Sequence, residues 1–542
     1  MHRMIGVYAG IPVPEEFFES QKIDHLGVTD HDGVWSQRYY SYGKHFDGPG
    51  HPIFLILGGE GGISPDAGIV YPFVGDHLAK TFGAYVLQPE HRFYGKSRPI
   101  PGPTVHLRST KHSNHYIDEE KEDPRVKLFT SEQALHDAMT LLEHVRNDLG
   151  CSPSKDDPSL YCPVITVGGS YPGFLSAFAR ILFPEVVDMA YAASAPMKFY
   201  AQETSVHAYY DHITDVAEDT LSGCAAGVKL SLLEIERMIQ NTKSRSEMES
   251  LALEVGICEG SIPEYIFSSG DDGSSFRTKM VHELMMVVGY TFANDNMANY
   301  PPGKDTRLYK ACEIFTYKDL SPTKKVETLL TERLNLGSRT QRYPRLTYNN
   351  HDAPGSSPSP PPTCWSMNRQ LPSGPNATIT GGDWSGDGTG PDGESWDFQT
   401  CTLLVEAIGF SEESMFPARN WTMEWLEDHC MSRFGVNPRP KELVERFGFN
   451  DLISNNVTKI LFTNGLKDGW SVSGIQTNLS ESLIALNFEN GAHHSDLNHV
   501  GPSPRDSDDI QEGYRFVARL LGDWLGELRN DFGGPSTIGN IQ

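Results

Sequence analysis

Short, uniformly apolar runs alternate with stretches of helical spacing through the first two hundred residues. The runs IFLIL at 53–57, AYVLQ at 84–88 and VITV at 164–167 have strand length and no polar face, so they predict strands of a mostly parallel sheet covered on both sides. Between the last two, TSEQALHDAMTLLEHVRNDLG brings Leu135, Met139 and Leu142 onto one face, with Thr130 and Gln133 as a capping box and Gly150 as the stop. From about 200 to 335 the strand signal fades, and amphipathic pieces such as LLEIERMIQ and RTKMVHELMMVV predict an inserted helical domain. Residues 350–395, with SSPSPPP and GGDWSGDGTGPDG, read as a long loop or a partly disordered stretch. Strands return at KILFTN (459–464) and SLIALNF (482–488), and a helix from Asp508 to Leu528 turns Ile510, Tyr514, Val517, Leu521 and Leu525 inward. The expected organisation is an α/β core in two parts, 15–199 and 396–530, interrupted by a helical insertion over 200–395.

Composition narrows the partners. The 542 residues carry a formal charge of -26 and a pI near 5.1, which disfavours nucleic acid and anionic membrane surfaces. No run approaches the roughly 18 to 20 apolar residues of a membrane span. The eight cysteines show no C-x-x-C spacing of a zinc site, so disulfides are expected, and the Cys151–Cys162 pair would close the short loop SPSKDDPSLY. Sequons at Asn376, Asn420, Asn456 and Asn478 point to the same oxidising compartment, secreted or lysosomal/vacuolar. The opening MHRMIGVYAGIPVPEEFF has too short an apolar run for a secretory leader, which leaves a cytosolic alternative open.

The candidate chemistry starts at ITVGGSYPG. Ser170 follows a predicted strand, as in the G-x-S-x-G turn that lifts a serine nucleophile between strand and helix, but Pro172 stands where the second glycine belongs. The proline removes no catalytic donor, because the N–H that would stabilise an oxyanion is that of Tyr171. It also suits a first helical turn, where its missing N–H has no partner to lose. A serine hydroxyl needs a base and an orienting carboxylate. After the next two predicted strands stand Asp468 in NGLKDGW and His493 and His494 in ENGAHHSD, in the chain order Ser, Asp, His. DWSGDGTGPDGE, 383–394, has the spacing of a calcium loop, but Gly390 and Pro391 replace the expected apolar and polar ligation positions and no helix precedes it, so no metal is assigned.

The segments QKIDHLGVTDHDGVWSQRYY, EHRFYGKS, GGSYPG, AYAASAP, NDNMANYP, WDFQTCT, NGLKDGW and GAHHSDLN together resemble the lysosomal Pro-X carboxypeptidase and dipeptidyl-peptidase II family of serine peptidases over nearly the full length. The resemblance implies an α/β-hydrolase fold with a large helical cap, and a Ser170, Asp468, His493 triad with His494 beside it. It further implies Tyr171 and Gly59 as oxyanion donors, Glu60 near the substrate, Phe174 and Trp470 along a proline-accepting pocket, and a Cys401–Cys430 disulfide. Peptides are the implied partners and no cofactor is implied; a homodimer stays open. The activity implied is exopeptidase cleavage next to proline or a small residue near a terminus, the segment from about 200 to 335 roofing the site with Met297, Asn299 and Tyr300. An esterase or lipase, or a silent binding protein on the same fold, are the alternatives. Two departures stand out: Gly469 replaces the family's proline after Asp468, and Asn498 replaces its arginine after HHxDL.

Overall fold

The computed structural model describes residues 10–64, 67–100, 123–258, 260–262, 266–267, 272–340, 364–366, 377–379, 390–497 and 501–531. Two compact units divide the chain: an α/β unit containing 8–205, 398–407 and 422–542, and a helical unit containing 206–397 and 408–421. The helical unit thus also takes a short second stretch, 408–421, from the region read as core.

In the α/β unit eight strands form one sheet: β1 (Glu16–Lys22), β2 (Val34–Tyr42), β3 (Ile53–Ile56), β4 (Tyr85–Pro89), β5 (Val164–Gly169), β6 (Met189–Ala193), β7 (Ile460–Gly465) and β8 (Leu483–Phe488). Their order is β1-β2-β4-β3-β5-β6-β7-β8. β2 runs antiparallel to both neighbours, and every other pairing from β4 to β8 is parallel. This is the α/β-hydrolase fold. The central strands are buried along their whole length, as strands with helices on both faces must be. The helix Ser131–Leu149 begins at Thr130, whose hydroxyl accepts from the Gln133 N–H, and ends at Gly150 in the left-handed conformation. The terminal helix Asp508–Asp531 buries Ile510, Tyr514, Val517, Leu521 and Leu525, the expected stripe.

The helical unit packs Cys224–Gln240, Ser274–Met297 and Arg307–Thr316 around Val228, Leu232, Ile235, Leu284, Phe292 and Leu308, all without exposed surface. The disulfides Cys224–Cys312 and Cys258–Cys364 tie it together. The long loop expected over 350–395 is corrected by two elements. Cys364–Ser366 pairs in parallel with Ala377–Ile379, and the helix Gly390–Thr400 starts inside it. Composition hid the first because its anchor is a covalent bond to Cys258. The calcium-like stretch lies outside the described residues from 383 to 389, and its last five positions open that helix.

Candidate active site

β5 ends at Gly169 and the helix Tyr171–Leu182 begins two residues later, so the chain reverses at Ser170, with φ 67° and ψ −132°. Such a backbone is sparsely populated for a residue with a side chain and persists only when its surroundings enforce it. Here the Ser170 N–H donates to the Ala193 carbonyl at 2.9 Å, and the Ser170 carbonyl accepts from the Phe174 N–H at 3.1 Å. A Cβ at Gly168 would lie 2.0 Å from the Pro172 oxygen, and one at Gly173 2.5 Å from the Ala193 oxygen, so the turn closes only with glycine at both. Pro172 sits in the first turn of the helix, and its ring is received by Gly59, where a Cβ would stand 2.7 Å from the proline Cγ. Room that G-x-S-x-G creates at its second glycine is supplied here by Gly59 on the facing loop.

The acid and base come from the loops after β7 and β8. Asp468 is fully buried. One of its carboxylate oxygens accepts the Trp470 N–H at 3.1 Å, capping the short helix Gly469–Ser473, and the other accepts from His493 Nδ1 at 2.7 Å. With Nδ1 donating to a carboxylate, Nε2 of neutral His493 is left as a proton acceptor. Trp470, half-buried, lies with its ring centroid 6.4 Å from that of His493 and 5.7 Å from Phe199. His494 has φ 34°, donates its N–H to Ser194 Oγ at 2.9 Å, and lays its ring on Gly169, where a Cβ would meet it at 2.7 Å. The histidine loop therefore abuts the residue preceding Ser170. Asp468 in the loop bearing Gly469 is held at both carboxylate oxygens, although the proline-to-glycine departure predicts a looser loop. Asn498 falls outside the described residues.

The loop after β3 is organised by Glu90, whose carboxylate accepts the N–H groups of Ile63 and Lys96 and pairs with buried Arg38. Glu60, half-buried on that loop, is close enough for its charge to act on Glu406. Burial and then the Glu60 charge push the Glu406 carboxyl up to about 8, against a hydrogen bond from Tyr200. Phe174, expected along a substrate pocket, has no exposed surface: Phe178, Tyr200 and Phe449 surround its ring at centroid distances of 5.3, 4.9 and 5.1 Å. Its side chain is spent on packing, because its place in the helix turns it inward beneath Tyr200.

A model of serine carboxypeptidase S28 matches residues 21–516. The chain belongs to that family. It is a serine-type peptidase, and peptides are its substrates. Among the S28 relatives, the lysosomal Pro-X carboxypeptidase of Mus musculus is 25% identical over 492 residues, 89% of this chain and 83% of its own. The thymus-specific serine protease of Mus musculus is 25% identical over 95% of this chain and 89% of its own, and the prolyl carboxy peptidase like protein 5 of Caenorhabditis elegans 26% over 95% and 90%. Among solved structures, Est1E from Butyrivibrio proteoclasticus aligns over 35% of this chain and 53% of its own at 13% identity, with a TM-score of 0.20. Two functional features escaped sequence reasoning within the S28 motifs: the work of the EHRFYG segment and the Gly59–Pro172 contact. EHR was visible as a motif, but three adjacent polar residues give no sign of pointing to three separate partners.

Proposed function

We propose that this S28 peptidase is an exopeptidase that cleaves next to proline or a small residue near a peptide terminus, through an acyl-enzyme on Ser170. The observation that carries the reading is the buried Asp468–His493 hydrogen bond beside the strained turn at Ser170. In this mechanism His493 Nε2 takes the Ser170 proton as Oγ attacks the scissile carbonyl, while Asp468 holds the ring and stabilises the imidazolium that forms. The N–H groups of Tyr171 and Gly59 receive the oxyanion, and His493 returns the proton to the leaving amine. Water then enters by the same base and releases the acyl group. Trp470 beside His493 offers a half-buried apolar face suited to a pyrrolidine ring, and Glu60 a charge near the cleft. The four disulfides, and the lysosomal relatives, favour an oxidising compartment, secreted or lysosomal.

The test joins an alkyl fluorophosphonate label to matched peptides carrying a penultimate proline at either end. Wild type is expected to label at Ser170 and to hydrolyse one peptide of the pair, and Ser170→Ala to lose both while keeping its melting temperature. Activity of Ser170→Ala within tenfold of wild type sinks the nucleophile assignment. Equal cleavage of an internal proline bond sinks the exopeptidase half.

A further inference from the structure

The side chain of Tyr171 does something the reaction as described leaves unused. Its ring is buried, and its hydroxyl lies 3.1 Å from His91 Nε2, 3.1 Å from Ser131 Oγ and 3.2 Å from Gln399 Nε2. The proton positions follow from the partners. His91 Nδ1 is 2.7 Å from the Arg92 carbonyl, which can only accept, so Nδ1 carries the hydrogen and Nε2 of the neutral ring accepts. Burial holds the His91 pKa down to about 4, which keeps it neutral. The Tyr171 O–H therefore donates to His91, and its oxygen accepts from Ser131 and from the Gln399 amide. The Gln399 carbonyl in turn accepts from Tyr94 at 2.6 Å. Every direction in the chain is fixed.

A buried hydroxyl with its partners in place contributes only modest net stability, because the unfolded chain bonds to water instead; what it adds is a defined position. Position matters here because Tyr171 precedes Pro172. A following proline disfavours the helical backbone, yet Tyr171 is the first residue of the helix. Its N–H is also the donor assigned to the oxyanion.

We propose that His91, Ser131 and Gln399 are positioning residues that hold the Tyr171 backbone N–H in register with the reacting carbonyl by clamping the tyrosine hydroxyl against the bias of Pro172. The three come from EHRFYG, from the capping-box helix and from WDFQTC. Three motifs without a part in the triad thereby converge on one atom. The inference rests on the reading of Ser170 as nucleophile.

The test measures the second-order rate at which an alkyl fluorophosphonate labels Ser170, since its phosphoryl oxygen occupies the oxyanion position and no substrate need be known. Tyr171→Phe is expected to slow labelling by about tenfold, a fraction of the 10²–10³ that follows loss of a whole oxyanion donor. On the peptide that wild type cleaves, kcat should fall by a similar factor with KM within about twofold. His91→Leu should match this loss and His91→Gln, whose carbonyl can still accept, should recover most of it. Tyr171→Phe combined with His91→Leu should be no slower than the worse single variant, because both break one bond. Should the buried His91 variants fail to fold, Ser131→Ala removes one small hydroxyl and is expected to slow labelling about threefold. Tyr171→Phe labelling at the wild-type rate, or losses that multiply in the double variant, overturns the inference while the nucleophile stands. A wild-type protein that does not label at Ser170 overturns both.

Discussion

The α/β unit and the helical unit are held together by different chemistry. In the α/β unit, buried charged side chains are paired with one another: Arg92 grips Asp137 through two bonds of 2.6 and 2.7 Å, His25 reaches the same carboxylate at 2.8 Å, and Arg38 pairs with Glu90. The helical unit buries mainly aliphatic and aromatic side chains, with Asp295, Asn296 and Asn299 among them, and carries two disulfides and surface ion pairs at i,i+3 and i,i+4, such as Arg237–Glu234 and Arg245–Glu249. Exposed pairs of that kind add little. Buried ionic networks are poor contributors to stability, but they tolerate one geometry only. The difference locates one kind of exact placement in the α/β unit: the Glu90 carboxylate holds the loop bearing Gly59 and Glu60, and His91 meets the Tyr171 hydroxyl.

If that contrast is right, the largest effects on chemistry with the smallest on folding come from the α/β unit. His493→Ala is expected to lower kcat by about 10³ or more, the range of a lost general base, and His494→Ala by about tenfold at most. The His493 ring is bonded to Asp468, whereas the His494 ring lies on Gly169. Steady-state kinetics on both variants decides it, and an equal or reversed order moves the base to His494. The converse holds for the helical unit. Replacing Cys224 and Cys312 together by alanine removes a link across 88 residues and should cost about 2–5 kcal/mol of that unit's stability. Limited proteolysis should then cut within 206–397 first, with Ser170 still labelled within about threefold of wild type. Loss of labelling in step with cutting would erase the contrast.

The legible parts of the fold were those written in local pattern. β3, β4, β5, β7 and β8 and the helix Ser131–Leu149 stood out as apolar runs or capped periodicity, and the three catalytic candidates followed from strand ends. β2 was not legible because its buried positions include Gln37 and Arg38, polar residues whose partners, Glu90 among them, lie far along the chain. β6, MAYAA, fits the strand expected to end near Ala195, and it is fixed by its neighbours β5 and β7. Of the candidate site, Ser170, Asp468 and His493 could be named from strand ends, and the structure joins Asp468 to His493; the burial of Phe174 could not be foreseen, because a helix position beside the candidate nucleophile says nothing of the side it faces. The disulfides split in the same way. Cys401–Cys430 and Cys151–Cys162 pair as expected, but Cys258–Cys364, spanning 106 residues, has no local trace.

A smaller effect sharpens the argument about placement within the α/β unit. Gly59→Ala sets a methyl against the Pro172 ring, and its expected cost is about tenfold in kcat/KM as the loop and the turn are forced apart. Pro172→Gly in the same chain removes the obstructing ring, so the double variant should recover most of the loss. Kinetics of the two single variants and the double variant form the test; failure of Pro172→Gly to rescue would mean that Gly59 is required for another reason.

A pH-dependent effect concerns a carboxyl of the α/β unit that is buried near a second acid, Glu60. Glu406 is 6% exposed, receives a hydrogen bond from Tyr200, and titrates near 8 in the fold against 4.5 as its ordinary value. Between those values the folded state holds a proton that the unfolded state has released, so the term has the opposite sign to that of a salt-bridged carboxylate. Its contribution is fully present below about pH 4.5 and falls as pH rises, until it is lost above about pH 8. One group can supply at most about 1.4 kcal/mol per pH unit. Glu406→Gln keeps the shape and a hydrogen-bonding end but cannot titrate, so its stability relative to wild type should rise across pH 5 to 8. Urea unfolding of both proteins at several pH values measures this. Parallel curves would mean that Glu406 ionises in the fold without penalty, and that the α/β unit accommodates an unpaired buried charge as readily as it does a paired one.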